Sequence, residues 1–177
     1  MTERQQSKDL DTPALLDTLS SELRNLLKSR NIENPVMIGI HTGGVWVAKE
    51  LHKDLNIEQP LGTLNITFYR DDFTRIGMHP QVQPSNLPFN IDGQHIILVD
   101  DVLHTGRTIR AALNEIFDFG RPASVILAVL VERGCRELPI SADVAATEIT
   151  LDDNQHIKLS NDEENGSTLK LSIEEAK

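Results

Sequence analysis

The sequence predicts an α/β fold: a central, mostly parallel sheet flanked by helices, with an antiparallel hairpin at its C-terminal end. Three observations predict it. Residues 36–40 (VMIGI), 94–99 (QHIILV) and 124–131 (SVILAVLV) are short apolar runs rich in β-formers, as buried parallel strands are. The first two each lead through a glycine-containing corner into a stretch with apolar residues at helical spacing. Strands alternating with helices imply βαβ crossovers, which join parallel neighbours.

Asp11-Thr12-Pro13 supplies an N-cap and a first-turn proline, and Leu15, Leu16, Leu19, Leu23, Leu26 and Leu27 recur at helical spacing. Residues 12–30 therefore read as an amphipathic helix, broken by Asn34-Pro35. After the strand at 36–40 comes the corner His41-Thr42-Gly43-Gly44. Val45, Val47, Ala48, Leu51 and Leu55 then place an apolar stripe on a helix ending near Asn56. Residues 63–69 (TLNITFY) alternate as a strand does. Residues 70–90 hold three prolines, a glycine and no period, which predicts a flexible loop of the kind that serves as a lid or binding segment. The strand at 94–99 runs into Asp100-Asp101-Val102-Leu103-His104-Thr105-Gly106-Arg107-Thr108. The helix behind it carries Ile109, Ala112, Leu113, Ile116 and Phe117 on its packing face and stops at Gly120. Over 141–177 the helical period is gone. Ile157 and Leu159 alternate on one side of Asn165-Gly166, and Leu169, Leu171 and Ile173 on the other, which predicts the hairpin.

The 177 residues, 39% hydrophobic and 25% charged, suit one globular domain over 1–177. The longest wholly apolar run, Val125 to Val131, has seven residues, well short of the roughly 20 a membrane helix needs. The first residues, MTERQQSKDL, have no apolar core of a secretion signal, and the lone Cys135 closes no intramolecular disulfide. A cytoplasmic protein is expected. Seventeen basic residues against 27 acidic ones give a net charge of −10, which opposes binding driven by phosphate neutralisation. Residues 141–177 hold nine of the acids against three lysines, leaving −4 for residues 1–140.

In a parallel α/β sheet, ligands bind beyond the carboxyl ends of the strands, and VDDVLHTGRT occupies such a place. Thr105 to Thr108 open a helix, where backbone N–H groups and the helix dipole favour an anion, and Gly106 permits close backbone approach. Two adjacent acids beside a phosphate site would repel the phosphate, but they suit the hydroxyls of a sugar that carries it. The pattern predicts a phosphorylated sugar.

This segment resembles the ribose-phosphate signature of the type I phosphoribosyltransferases, which use phosphoribosyl pyrophosphate (PRPP). With FYRDD at 68–72, IILVDDVLHTGRTIRAAL at 96–113 and GRPASVILAVLVERGCRELPI at 120–140, the likeness narrows to the PyrR family, pyrimidine-operon regulators that are also uracil phosphoribosyltransferases. The likeness runs from about Met37 to about Asp143. It implies that Asp100 and Asp101 hold the ribose hydroxyls, that Leu103, His104, Thr105, Gly106, Arg107 and Thr108 wrap the 5-phosphate, and that Val102 between them belongs to the same PRPP-binding stretch. It further implies that Thr42, Gly43 and Gly44 bind pyrophosphate, that Arg70 on the flexible loop donates charge, and that Arg133 and Arg136 lie on the nucleobase side. Mg²⁺ would arrive with PRPP, met by Asp100 and Asp101 through water. The implied reaction makes UMP and pyrophosphate from uracil and PRPP. The alternatives are a UMP- and PRPP-sensing RNA-binding attenuator, with Arg24, Lys28, Arg30, Arg133 and Arg136 as its basic candidates, and a transferase for another nucleobase. The resemblance also implies a homo-oligomer.

Two positions and one four-residue segment depart from the common family pattern. Glycine stands at 43 where many members have arginine, Cys135 where many have histidine, and Ala145-Ala146-Thr147-Glu148 where many have a lysine-rich Pro-Thr-Ser segment. No two of the six histidines pair with each other, or with a cysteine or acid, at zinc-ligand spacing on one element. There is no GxSxG elbow, and Cys135 has no evident activating partner, so covalent catalysis is not expected.

Overall fold

A computed structural model of the chain describes residues 8–66, 84–164 and 166–175. Its elements, in chain order, are β1 (Lys8–Leu10), α1 (Thr12–Ser29), β2 (Val36–Ile40), α2 (Gly43–Asp54), β3 (Gly62–Leu64), β4 (His95–Leu103), α3 (Arg107–Phe119), β5 (Ser124–Arg133), β6 (Val144–Ile149), β7 (Gln155–Asp162) and β8 (Thr168–Glu175). Five of the strands form one sheet in the order β3-β2-β4-β5-β6, every neighbouring pair parallel. The other three form an antiparallel sheet, β1-β8-β7.

Helix α1 starts as its sequence requires, with Asp11 accepting a hydrogen bond from the Ala14 N–H at 3.1 Å and Pro13 in the first turn. Its buried stripe of Leu19, Leu23 and Leu27 shares one core cluster with Val47, Ala48 and Leu51 of α2 and with Met37, Ile97 and Val99 on one face of the parallel sheet. Leu159, Leu169 and Leu171 of the antiparallel sheet complete the same cluster. On the other face, Ile109, Ala112 and Ile116 of α3 cover Ile38, Ile96, Leu98 and Val129. Alternate residues of β4 thus enter opposite cores, as the two-residue repeat of a strand dictates.

The hairpin forms where expected, with Ile157 opposite Ile173 and Leu159 opposite Leu171. Five features differ from the sequence reading. The strand expected over 63–69 spans only Gly62–Leu64, because its pairing with β2 ends at Leu64 opposite Ile40; residues 65 and 66 lie outside it and 67–69 fall outside the described residues. Strand β4 runs on to Leu103, so Asp100 and Asp101 lie within it and not beyond its end. Phe117, assigned to the packing face of α3, is 57% exposed, because the sheet covers the stripe only as far as Ile116. Residues 84–90 are anchored in the fold: Asn86 and Thr63 exchange two backbone hydrogen bonds of 2.8 Å, and Leu87 and Phe89 pack on the α3-side core. One bridge and two apolar side chains carry no period, so pattern alone misses them. Strands β1 and β6, which no apolar run marks in the sequence, also form. Among the described residues no helix is long and apolar enough to cross a membrane.

Candidate active site

The strand order sets the location. From β2 the chain crosses through α2 to β3 on one side, and from β4 it crosses through α3 to β5 on the other, so the order reverses between β2 and β4. Their carboxyl ends are side by side, in register from Val36 opposite Ile96 to Gly39 opposite Val99. A crevice at such a switch point is where open α/β sheets bind ligands. Two of the expected segments meet there, the 42–44 corner after β2 and the 100–108 stretch of β4.

The contact between them depends on the absence of side chains at 43 and 44, both buried. A Cβ on Gly43 would lie 2.3 Å from Asp101 Oδ2, and one on Gly44 would lie 2.6 Å from the Val99 carbonyl oxygen and 3.0 Å from Asp100 Cα. Real Cβ atoms do not approach so closely, so the first turn of α2 rests directly on the acid pair. Deeper in β2, Gly39 plays the same part, since a Cβ there would lie 2.8 Å from Val45 Cα and 2.9 Å from Ala48 Cβ. A glycine inside an apolar strand is the signal that marks such an approach, and the motif at 42–44 alone misses Gly39. Asp100 is 2% exposed and Asp101 half-buried. Asp100 Oδ1 accepts from the Asp101 N–H and Asp101 Oδ1 from the Val102 N–H, each at 3.0 Å, which fixes both carboxyl groups to the backbone. The amino end of α2 faces this negative pair, a favourable arrangement for a helix dipole. Next to the corner, His41 donates its backbone N–H to the Leu64 carbonyl at 2.8 Å. Burial, and secondarily the charge of Lys49, pushes its imidazole pKa down from the ordinary value. The His41–Thr42 peptide is cis.

Beyond Leu103 the backbone turns through Gly106, whose φ of +95° is left-handed, and enters α3. Leu103 is fully buried, so only its backbone can face a ligand, whereas Val102, His104, Thr105 and Thr108 are half-buried and Arg107 and Thr42 are exposed. Residues following β5 hold this turn from behind. The Thr105 carbonyl accepts the N–H groups of Glu137 at 3.0 Å and Leu138 at 3.1 Å, and Arg107 Nε donates to Glu137 Oε2 at 2.6 Å. Arg136 donates through Nη1 to the His104 carbonyl and through Nη2 to Glu132 Oε1. These restraints escaped the sequence reading, which placed Arg133 and Arg136 on the nucleobase side without a partner for either. Arg133, at the end of β5, is half-buried. Arg70 and the rest of the 67–83 segment lie outside the described residues. No group of three or more His, Cys, Asp or Glu among the described residues could hold a metal by itself.

Residues 6–164 match the phosphoribosyl transferase domain family. The protein of Nitrosococcus oceani called bifunctional protein PyrR is 60% identical over 156 residues, 87% of this chain and 88% of its own length. Its namesake from Pseudomonas paraeruginosa is 60% identical over 151 residues, 85% and 89% of the two chains. The chain belongs to the PyrR family. Among solved structures, a Trypanosoma cruzi hypoxanthine phosphoribosyl transferase matches with a TM-score of 0.64 at 22% identity, covering 85% of this chain and 82% of that one. A hypoxanthine phosphoribosyltransferase from Staphylococcus aureus matches with 0.62 at 15%, covering 86% and 81%. At such identities the likeness concerns the fold alone, and that fold agrees with the phosphoribosyl transferase domain match.

Proposed function

We propose that this chain transfers the phosphoribosyl group of PRPP to uracil, giving UMP and pyrophosphate, in the cytoplasm and in pyrimidine salvage. The observation that carries the reading is the direct seating of the Gly43-Gly44 corner on Asp100-Asp101 at the switch point of the sheet. It sets two anion-receptive helix starts, those of α2 and α3, on either side of a carboxylate pair. A molecule with a phosphate at one end, a pyrophosphate at the other and hydroxyls between them fits that spacing of chemistry.

In this reading the carboxylates of Asp100 and Asp101 accept hydrogen bonds from the ribose hydroxyls, and the backbone of residues 104–108 with the Thr105 and Thr108 hydroxyls holds the 5-phosphate. The amides opening α2 receive the pyrophosphate as it leaves. Charge separates as the glycosidic bond breaks, so fixed donors at the pyrophosphate and a held sugar lower the barrier by positioning and electrostatics. The donor set fits Mg²⁺ carried in by PRPP: Asp101, half-buried, and Asp100 beside it would meet the ion through water, and when bound it neutralises pyrophosphate charge. The test is a panel of uracil, hypoxanthine, guanine, adenine and orotate with PRPP and Mg²⁺, read as pyrophosphate release. Turnover with uracil alone is expected, and turnover only with a purine would reassign the base.

A second activity is favoured by one finding, the word bifunctional in the relatives' name. RNA-binding attenuation responsive to UMP is its reading here, and the charge distribution weighs against it. Of the five basic candidates, Arg30 pairs with Asp143 at 2.8 Å, Arg24 donates to the Asp54 carbonyl at 3.0 Å, and Arg136 is turned inward. Binding to a pyrimidine leader RNA at about 150 mM salt is expected to be weak. Nanomolar affinity strengthened by UMP would establish the regulator.

A further inference from the structure

We infer that Arg136 is a positioning residue for the ribose-phosphate turn and makes no contact with the nucleobase. The inference rests on the phosphoribosyl-transfer reading and refines it. Peptide geometry supplies the reason. In a trans peptide, the C=O of one residue and the N–H of the next point in opposite directions. Arg136 takes the His104 carbonyl, and the Glu137 and Leu138 N–H groups take the Thr105 carbonyl. The N–H groups of Thr105 and Gly106 are therefore set on the edge facing away from the 132–140 strap, where this reading puts the 5-phosphate. A backbone acceptor held on one side orients a donor on the other.

Arg136 suits this task. Its second nitrogen is fixed by Glu132, four residues back on β5, and Nη1 also reaches the Arg133 carbonyl at 3.4 Å. Glu132 is itself in register with Leu103 of β4, the residue from which the turn departs. The guanidinium thus ties the end of β5 to the exit of β4. A planar fork reaches the two partners with two separate nitrogens, whereas an ammonium offers all its donors from one point and matches that spacing less well. Apolar contact reinforces it, since a Cβ on Gly106 would lie 3.3 Å from Leu138 Cβ and 3.5 Å from Ile140 Cβ.

The test compares Arg136→Gln, Arg136→Lys and Glu132→Gln with the unaltered chain. It reads KM for PRPP, KM for uracil, kcat, melting temperature, and calorimetric affinity for ribose 5-phosphate. Arg136→Gln is expected to raise KM for PRPP about tenfold or more and to weaken ribose 5-phosphate equally, with KM for uracil changed less than about twofold. Arg136→Lys should recover part of the loss, and Glu132→Gln should show a smaller loss in the same direction. A rise in KM for uracil with PRPP and ribose 5-phosphate unaffected would overturn the inference by making Arg136 a base contact. No change in either constant would also overturn it. If Arg136→Gln unfolds, Glu132→Gln and Arg136→Lys decide on the same split. An unaltered chain that binds ribose 5-phosphate yet turns over no base would sink the transfer reading, while the calorimetry would still judge Arg136.

Discussion

Replacing Gly43 with alanine should disable the site while leaving the fold intact. Gly43 is the first residue of α2 and its φ is not positive, so the alanine backbone is unstrained there and gains helix propensity of up to about 1 kcal/mol over glycine. The new methyl, however, would sit 2.3 Å from Asp101 Oδ2 and 2.7 Å from its Cγ, where carbon contacts are comfortable near 3.5 Å. The carboxylate must therefore retreat by about 1 Å. A misplacement of that size can cost on the order of 10²-fold in rate. The assay pairs turnover of PRPP and uracil with thermal unfolding: kcat falls by about two orders of magnitude and the melting temperature hardly moves. Asp101→Ala should cost far less in the Gly43→Ala background than in the unaltered chain, because both act through one carboxylate. A Gly43→Ala protein with undiminished kcat and KM would refute the reasoning, since the contact would then have no bearing on chemistry. Arginine at 43, frequent among relatives by the resemblance, faces the same obstacle here and requires Asp101 to take another position.

Asp100→Asn combined with Asp101→Asn should abolish PRPP-dependent turnover. It should lower stability by no more than about 1 kcal/mol, because asparagine keeps an oxygen for the Asp101 and Val102 N–H groups; calorimetric unfolding that collapses along with activity would make the pair structural. His41 has a depressed pKa in the folded chain, so the unfolded chain takes up its proton first; the stabilisation is complete above about pH 6.5 and is lost as the pH falls from there toward the folded value. Urea titrations at a series of pH values should show His41→Gln with the shallower acid-side decline. Asp11→Ala removes the cap on the Ala14 N–H and should cost about 1 kcal/mol in the same titrations, with kcat unchanged.

Much of this was legible because local periodicity and burial coincide. The α1 leucines, the β2 and β4 runs, and the facing Ile157/Ile173 and Leu159/Leu171 pairs each carry a repeat that one buried face imposes. The order VDDVLHTGRT located the site because strand end, acids, glycine and helix start occur in fixed sequence. What stayed hidden depends on distant partners. Strand β1 is three residues long and exists only through pairing with β8, and β6 (VAATEI) is an edge strand with no clean alternation. That Asp100 is buried inside β4 follows from Gly44 lying on it, which no spacing within 94–108 reveals. Arg136 reads as an ordinary surface charge until the turn it holds is placed beside it.

The pairing of β1 with β8 also bears on the order of events during synthesis. Lys8 lies opposite Ile173, and the buried bond from the Leu171 N–H to Thr12 Oγ1 joins residues 159 positions apart. A ribosome delivers Leu10 and α1 long before their partner strand exists. The α1 leucines that later face Leu169 and Leu171 must therefore wait, partly uncovered, while the parallel sheet assembles beneath them. Closing so long a loop is entropically slow to initiate, which makes docking of the C-terminal hairpin a late step in folding and the N-terminal helix the region most exposed to misassociation before it.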